Sequence, residues 1–330
     1  MQQERLNSSE ISNIWTHYIR ETMAVCITKY MMKHVRDREI HEFLQYALDL
    51  SFQHINTLTE LFKKEKFPIP KGFSKEDVNM DAPPLFTDAY CLLYMHTMTM
   101  HGMQAYGLAS SVSIRKDVRD FYGRCNQDTH NLYNKAIDLL SAKNLLEKPP
   151  LYATPEKPVF VPDFKYVTDV FGKKRKINTI EAGNIFFNLQ KSYIAKSSFI
   201  AFKQVSRDSD VQKFLDKCIN NKNKHISSFA SLLLKEGLHS PRPFESEITN
   251  STTAPFSEKL MLFHSGFFFA AAISYYGAAA VACMRADIAV LAEKAILDDL
   301  LVYGSFGKLM IEKNWIEQPP DADDRKVLEQ

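Results

Sequence analysis

Four side chains in the first half of the chain have the types expected of a metal site. Glu21, His54, His96 and Asp128 fall near the middle of four successive helical patterns. Imidazole nitrogens and carboxylate oxygens together suit a divalent transition metal, which needs several such donors at one point. If the four helices pack side by side, these residues predict a mononuclear site, and a transition metal is the one cofactor that the sequence suggests.

The corresponding positions of the second half offer fewer ligands. The residues there are Ser192, His225, Gly266 and Asp298. Any metal in that half would therefore depend on His225 and Asp298. Di-iron helical proteins use Glu-x-x-His motifs, but Ser51 and Lys222 stand three residues before His54 and His225. A di-iron centre is not predicted in either half.

A structural role explains the same histidines without a metal. His54 and Asp128 both belong to the predicted inner faces of their helices, as do His225 and Asp298. A buried polar group without a partner costs on the order of a few kcal/mol. We therefore predict that His54 pairs with Asp128 and that His225 pairs with Asp298, which would fix the register of the helices.

Four helices in each half must position these residues. Apolar residues recurring every three or four positions predict a first helix from about Ser9 to Val35, with Trp15 and Tyr18 in its inner stripe. The other predicted helices of the first half are Arg38 to Lys66, Phe86 to Ser111 and Arg115 to Glu147. The connection from Phe67 to Pro84 can reach roughly 59 Å, whereas the helix before it is about 44 Å long. This length predicts a crossover along the whole bundle, as in ferritin-like folds.

The two halves of the chain repeat each other at an offset of about 170 residues. Tyr106-Gly107 returns as Tyr276-Gly277, and Arg115-x-Asp117 returns as Arg285-x-Asp287. Similar matches occur where helices are predicted to start and stop. We predict an all-α protein of two tandem ferritin-like four-helix bundles, residues 1–150 and 179–330, joined by a proline-rich linker, residues 151–178.

The amino-acid composition limits the binding partners and the cellular compartment that can be expected for the protein. The 41 Lys and Arg nearly balance the 39 Asp and Glu, so no basic surface for nucleic acid is expected. The five cysteines do not recur at the repeat offset, which indicates free thiols in a reducing, cytoplasmic setting. His264, Ser265 and Gly266 interrupt the apolar stretch from Leu260 to Met284. A buried helix is therefore predicted there, and no transmembrane segment.

Several of these motifs are similar to those of one known family. Lys224-His225-Ile226, the Tyr-Gly and Arg-x-Asp repeats and the segment from Asn314 to Pro320 carry the resemblance. The chain resembles the domain of unknown function family 3231 of endospore-forming bacteria, whose members have two ferritin-like repeats and are sometimes labelled spore-coat-like. The resemblance implies the same fold and an association with sporulation or the spore coat. It implies no activity, substrate or cofactor.

Three functions remain open at this point. The leading hypothesis is a non-catalytic structural or interaction protein that binds protein partners or itself, because motifs for phosphate loops and catalytic nucleophiles are missing. The second is a metal-dependent redox protein that uses the first half. The third is a carrier of a small apolar ligand, held between the halves beside Phe267, Phe268 and Phe269.

Overall fold

Regular structure is entirely helical in residues 5–168 and 174–321, which the computed structural model describes. The long helices of the first half are α1 (Ser8–His34), α2 (Arg38–Lys64), α3 (Asp88–Val112) and α4 (Lys116–Ala142). A short helix, α5 (Lys165–Thr168), lies in the predicted linker, of which residues 169–173 are outside the described part. The second half contains α6 (Thr179–Val205), α7 (Ser209–Lys235), α8 (Glu258–Ala282) and α9 (Ala286–Glu312). The all-α prediction is confirmed.

Corresponding helices of the two halves have the same lengths. Helices α1, α2 and α4 have 27 residues each, as do α6, α7 and α9, while α3 and α8 have 25 residues each. The start signals are repeated as well. Asn7 caps α1 and forms a capping box with Glu10, and Asn178 does the same for α6 with Glu181. The repeat therefore preserves the local signals that begin each helix.

The fourth helix of the first half ends earlier than the sequence predicts. Helix α4 stops at Ala142 and not near Glu147, because Asn144 adopts a left-handed conformation with φ of 56°. Asn314 does the same after α9, with φ of 55°. Asparagine tolerates this conformation better than most residues, so it can reverse the chain there.

The long connection between α2 and α3 runs along the length of the half. Helix α1 packs along α2, α3 packs along α4, and contacts of α1 with α3 and of α2 with α4 complete the group. Glu65, just after α2, lies 2.6 Å from Arg115 at the start of α4. Asp88, at the start of α3, accepts hydrogen bonds from the backbone N–H groups of Arg36 and Asp37 before α2. The connection therefore begins at one end of α2 and finishes at the other.

The crossover connections of the two halves pair with each other. Val78 forms a backbone bridge with Phe256, and Phe86 forms the equivalent bridge with Ile248. The exchange is reciprocal, because Val78 corresponds to Ile248 and Phe86 corresponds to Phe256 at the repeat offset. Each half therefore contributes a strand-like segment to the other.

Equivalent residues also meet across the boundary between α3 and α8. The hydroxyl of Tyr94 lies 3.0 Å from Nε2 of His264, and the amide of Gln104 donates to the hydroxyl of Ser274 at 2.5 Å. Both pairs join corresponding positions of the repeat. The two halves are thus related by an approximate two-fold axis that passes between these helices.

Helix α8 is the one helix in the described residues that is long and apolar enough to cross a membrane by length and composition. Core helices of other proteins pass the same test. Here the helix packs along α6 and α9, and residues such as Leu260, Leu262 and Phe269 are completely buried against them.

The reciprocal contacts predict a measurable effect of Glu317, which follows α9. Its carboxylate accepts hydrogen bonds from the backbone N–H groups of Lys71 and Gly72, both at 2.7 Å, in the crossover of the first half. Replacing Glu317 with alanine leaves both donors without this partner. We expect Glu317→Ala to lower the free energy of unfolding by about 1–3 kcal/mol in urea denaturation.

A nearby glutamate supplies the control. Glu312 forms only an exposed 3.6 Å ion pair with Lys308 one helical turn earlier. Glu312→Ala should change the free energy of unfolding by about 0.5 kcal/mol or less. Equal losses in the two variants would show that the contact between the halves is not a stabilising one.

Candidate functional site

A buried carboxylate lies at the centre of the polar cluster in the first half. Oε1 of Glu21 on α1 is 2.9 Å from Nε2 of His17, 2.8 Å from Nδ1 of His54 on α2 and 2.8 Å from the hydroxyl of Tyr106 on α3. Glu21 is only 6 % exposed. Because the carboxylate can only accept, the two ring nitrogens that face it must carry hydrogens. One oxygen atom therefore joins three helices.

The carboxylate of Glu21, at the centre of the cluster, stays ionised although it is buried. Burial alone would raise the pKa of Glu21, but His54 and His17 outweigh it through charge and donated hydrogen bonds, and the pKa lies well below its usual value. Burial lowers the pKa of His17. Near neutral pH, Glu21 is thus an ionised carboxylate held by an uncharged imidazole at position 17.

Several polar atoms around Glu21 have no hydrogen-bond partner among the described residues. They are Nδ1 of His17, Nε2 of His54 and the hydroxyl of Tyr122, all buried. Cys125 on α4 is 1 % exposed, and its Sγ lies within 4.8 Å of one ring nitrogen of His17 and one of His54. Buried polar atoms are usually paired. This group therefore has unused capacity to bind a ligand.

A cavity of about 390 Å³ adjoins the cluster. Glu21, His17 and Tyr106 form part of its wall, and the rest comes from α1, α2, α3 and α4. Phe267 of α8 is the one lining residue from the second half. The cavity is therefore formed mainly by the first half, and Phe267 is the one residue of the aromatic trio named in the third hypothesis that reaches it. Phe268 and Phe269 are core residues, 3 % and 0 % exposed.

Larger aromatic residues fill the equivalent space in the second half. Thr28 and Thr99 line the cavity, and the corresponding residues are Phe199 and Phe269. Their rings stack with centroids 5.5 Å apart and an interplanar angle of 7°. Two threonines in one half thus occupy the positions of a stacked aromatic pair in the other.

At two further positions that line the cavity in the first half, the second half has an ion pair. Ser51 and Thr129 line the cavity, and their counterparts are Lys222 and Asp299. Nζ of Lys222 lies 2.9 Å and 2.8 Å from the two carboxylate oxygens of Asp299, and both residues are 0 % exposed. The space beside Lys222 measures only about 10 Å³, which is room for about one water molecule. The second half is packed where the first half is hollow.

The structure corrects the predicted pairing of His54 with Asp128. His54 bonds to Glu21 on α1, and Asp128 is only half buried and does not pair with it. His96 lies against the ring of Tyr133, with centroids 5.4 Å apart, and does not line the cavity. The four predicted ligands are therefore not brought together. Only Glu21 and His54 of that set meet.

The predicted pair in the second half is close but not hydrogen-bonded. Nε2 of His225 lies 3.7 Å from Asp298, and its Nδ1 lies 3.7 Å from Asp299. The nearer partner of Nδ1 is the hydroxyl of Tyr276, at 3.3 Å. Because hydrogen bonds to charged oxygen are about 2.7–2.9 Å long, this arrangement is a loose contact and no ligand set.

Sequence reasoning missed His17, Tyr106 and Cys125 as members of the cluster. The predicted stripe of α1 placed Trp15 and Tyr18 inside, but both are only half buried. The available signal was the spacing of His17 and Glu21, four residues apart and hence on one helical face.

Comparison with known proteins places the chain in a class of tandem all-helical repeats. A family model described as "Protein of unknown function (DUF3231)" matches residues 1–157 and again residues 165–328. The chain belongs to this family, and the two matches confirm the duplication. No curated protein matches the chain. A crystal structure of a "putative spore coat protein" from Bacillus halodurans is 18% identical, covers 46% of this chain and 98% of its own, and has a TM-score of 0.42.

The buried ion pair of the second half generates a prediction. Removing one partner of such a pair leaves an unpaired buried charge and costs about 3–5 kcal/mol. Lys222→Ser and Asp299→Thr each introduce the residue of the first half, Ser51 or Thr129. We expect each single variant to lose about that much stability in urea denaturation. The double variant should be less destabilised than either single one, because it removes both charges.

The comparison of the three variants is itself the control. If the losses of the two single variants simply add in the double variant, the residues are not energetically coupled. The ion pair would then not explain how the second half accommodates Asp299.

Proposed function

We propose that the protein is a non-catalytic binding protein whose first half holds a small, mostly apolar molecule, while its second half supports the first. We further propose that each half is a ferritin-like four-helix bundle. The order of the helices, their pairing and the long crossover between the second and third helices support this arrangement. A ligand site between facing helices is common in such bundles.

One observation carries the proposal. At positions related by duplication, the first half has Thr28, Thr99 and Ser51 where the second half has large or long side chains. The second half shows that this frame can be filled without loss of its helices. A cavity of about 390 Å³ also lies within the range of roughly 300–1,000 Å³ that small-molecule sites occupy.

The walls of the cavity indicate an apolar body for the ligand. Met23, Met95, Met98 and Leu132 contribute apolar surface. Methionine side chains are flexible and polarisable, so they adapt to ligands of irregular shape. The polar residues of the wall are concentrated on α1, including His17 and Glu21. The ligand would therefore have one apolar part and one polar end.

Arg20 indicates that the polar end of the ligand carries a negative charge. It lines the cavity, and its guanidinium carbon lies 5.0 Å from the centroid of the Phe267 ring. Within the described part of the chain, Arg20 has neither a carboxylate within ion-pair distance nor a hydrogen-bond acceptor. A partly desolvated guanidinium favours an anionic partner. A molecule with a carboxylate head and an aliphatic tail matches both features.

Filling the cavity tests this function. Thr28→Phe combined with Thr99→Phe copies the stacked pair of the second half. We expect the wild-type chain to bind decanoate in isothermal titration calorimetry and the double variant to bind it at least tenfold more weakly, a difference of about 1.4 kcal/mol. Thr99→Val keeps the size of the side chain and should bind as the wild type does.

Arg20 and the fold supply further controls. Arg20→Met should weaken decanoate binding by about tenfold and decanol binding much less, because only the carboxylate needs the positive charge. Circular dichroism must show that the double phenylalanine variant is still helical. Undiminished decanoate binding by that folded variant, or no binding by the wild type, would contradict the proposed function.

Association with the spore is the second part of the proposal, and the resemblance of the family to spore-coat proteins is its support. We expect a tagged chain expressed in a sporulating host to appear in the extracted coat fraction of purified spores. Immunoblots of the fractions measure this. Recovery of the chain only from the mother-cell cytosol would refute the association.

A further inference from the structure

The cluster around Glu21 holds three donor atoms that the proposed ligand does not need. Nδ1 of His17 and Nε2 of His54 are buried without partners in the described structure, in side chains that are 5 % and 6 % exposed. The third donor, Sγ of Cys125, lies within 4.8 Å of one nitrogen from each ring. The three residues come from α1, α2 and α4. They converge only through the packing of the first half.

We propose that His17, His54 and Cys125 bind one divalent cation of the zinc type, and that Glu21 orients both imidazoles. The inference is independent of the apolar ligand. Imidazole and thiolate together suit zinc or cobalt better than magnesium or calcium, which prefer oxygen donors. Three protein ligands leave a fourth position for water or another donor.

The separation of the donors is compatible with such a site. Zinc binds imidazole nitrogen at about 2.0–2.1 Å and thiolate sulfur at about 2.3 Å, so neighbouring ligand atoms of a tetrahedral site are roughly 3.5 Å apart. One ring nitrogen of each histidine and Sγ of Cys125 lie within 4.8 Å of one another. The site therefore requires a rotation of the Cys125 side chain toward the rings, which leaves the hydrogen bonds of both histidines to Glu21 in place.

Glu21 performs the role that a carboxylate has behind metal-binding histidines. Each histidine directs one N–H group at Oε1 of Glu21, at 2.9 Å for His17 and 2.8 Å for His54. This hydrogen bond fixes the tautomer, and it leaves the lone pair of the other nitrogen for the cation. The carboxylate also lies close enough to contribute charge to the site.

Charge balance supports a divalent cation. On binding, the S–H bond of Cys125 breaks, a bond forms between the sulfur and the metal, and the proton passes to solvent. The thiolate and the Glu21 carboxylate then carry two negative charges against the two positive charges of the metal. A buried site with no net charge avoids most of the desolvation penalty of an isolated ion.

The second half provides an internal comparison, because it retains only one of the three ligands. His225 corresponds to His54, but Asn188 and Ala295 replace His17 and Cys125. The Cys125→Ala variant therefore introduces a residue that the same helical frame already accepts. Cys218 of the second half supplies a control, because the first half has alanine at the corresponding position, Ala47. Cys218→Ala removes a buried thiol that is not near these histidines.

Cobalt substitution tests the site on the full chain. The chain is freed of metal with a chelator and titrated with Co²⁺, and absorption is followed. We expect one equivalent to produce a thiolate-to-cobalt charge-transfer band and the visible bands of tetrahedral cobalt. Zinc should abolish both. Cys125→Ala should lose the charge-transfer band and bind Zn²⁺ at least 100-fold more weakly, whereas Cys218→Ala should behave as the wild type does.

Two further variants separate failure of the metal site from misfolding and from failure of the apolar-ligand proposal. His17→Asn copies Asn188 and removes one of the three ligands, so it should weaken Zn²⁺ binding about as much as Cys125→Ala does, and it serves as the test if the Cys125→Ala chain does not fold. The Thr28→Phe, Thr99→Phe variant should still bind Co²⁺, so failure of the apolar-ligand proposal leaves this one standing. No cobalt signal from the wild-type chain, or an unchanged charge-transfer band in folded Cys125→Ala, would overturn the proposal.

Discussion

The ionised carboxylate of Glu21, buried between helices, is the constraint on which the rest of the first half depends. A buried charge is tolerated only when donors surround it, and here His17, His54 and Tyr106 supply three hydrogen bonds to one oxygen. These donors come from three different helices. Their positions fix how the helices are rotated, and thereby which side chains face the cavity.

The second half satisfies the same constraint by different means. One fully buried carboxylate there is Asp299 on α9, whose partners are Lys222 and the amide of Asn221, which donates a hydrogen bond at 2.6 Å. Lysine fills space that shorter residues leave open in the first half. Both halves have the same helical frame because their helix caps and corners are alike. Arg115 and Arg285 each bind the aspartate two residues later.

The sequence predicted the frame better than the site, and the reason is physical. Caps, prolines and corner motifs act within a few residues, so helices, crossover and duplication could be inferred from local patterns. The partner of a buried histidine depends on helix rotation, and one residue changes the direction by about 100°. His54 therefore meets Glu21 and not Asp128. The spacing of His17 and Glu21 places both on one helical face, but spacing alone does not show whether that face is buried.

The first half contains a cavity where the second half is packed, and this difference affects how stable each half is. A cavity and unpartnered nitrogens both destabilise a bundle, so the first half gives up stability that a well-packed bundle would have. The packed second half is joined to it by paired crossovers, by the contact of Tyr94 with His264 and by a common core. Unfolding of the first half would expose part of that core. Duplication thus allows one copy to keep a cavity, because the other copy stabilises it.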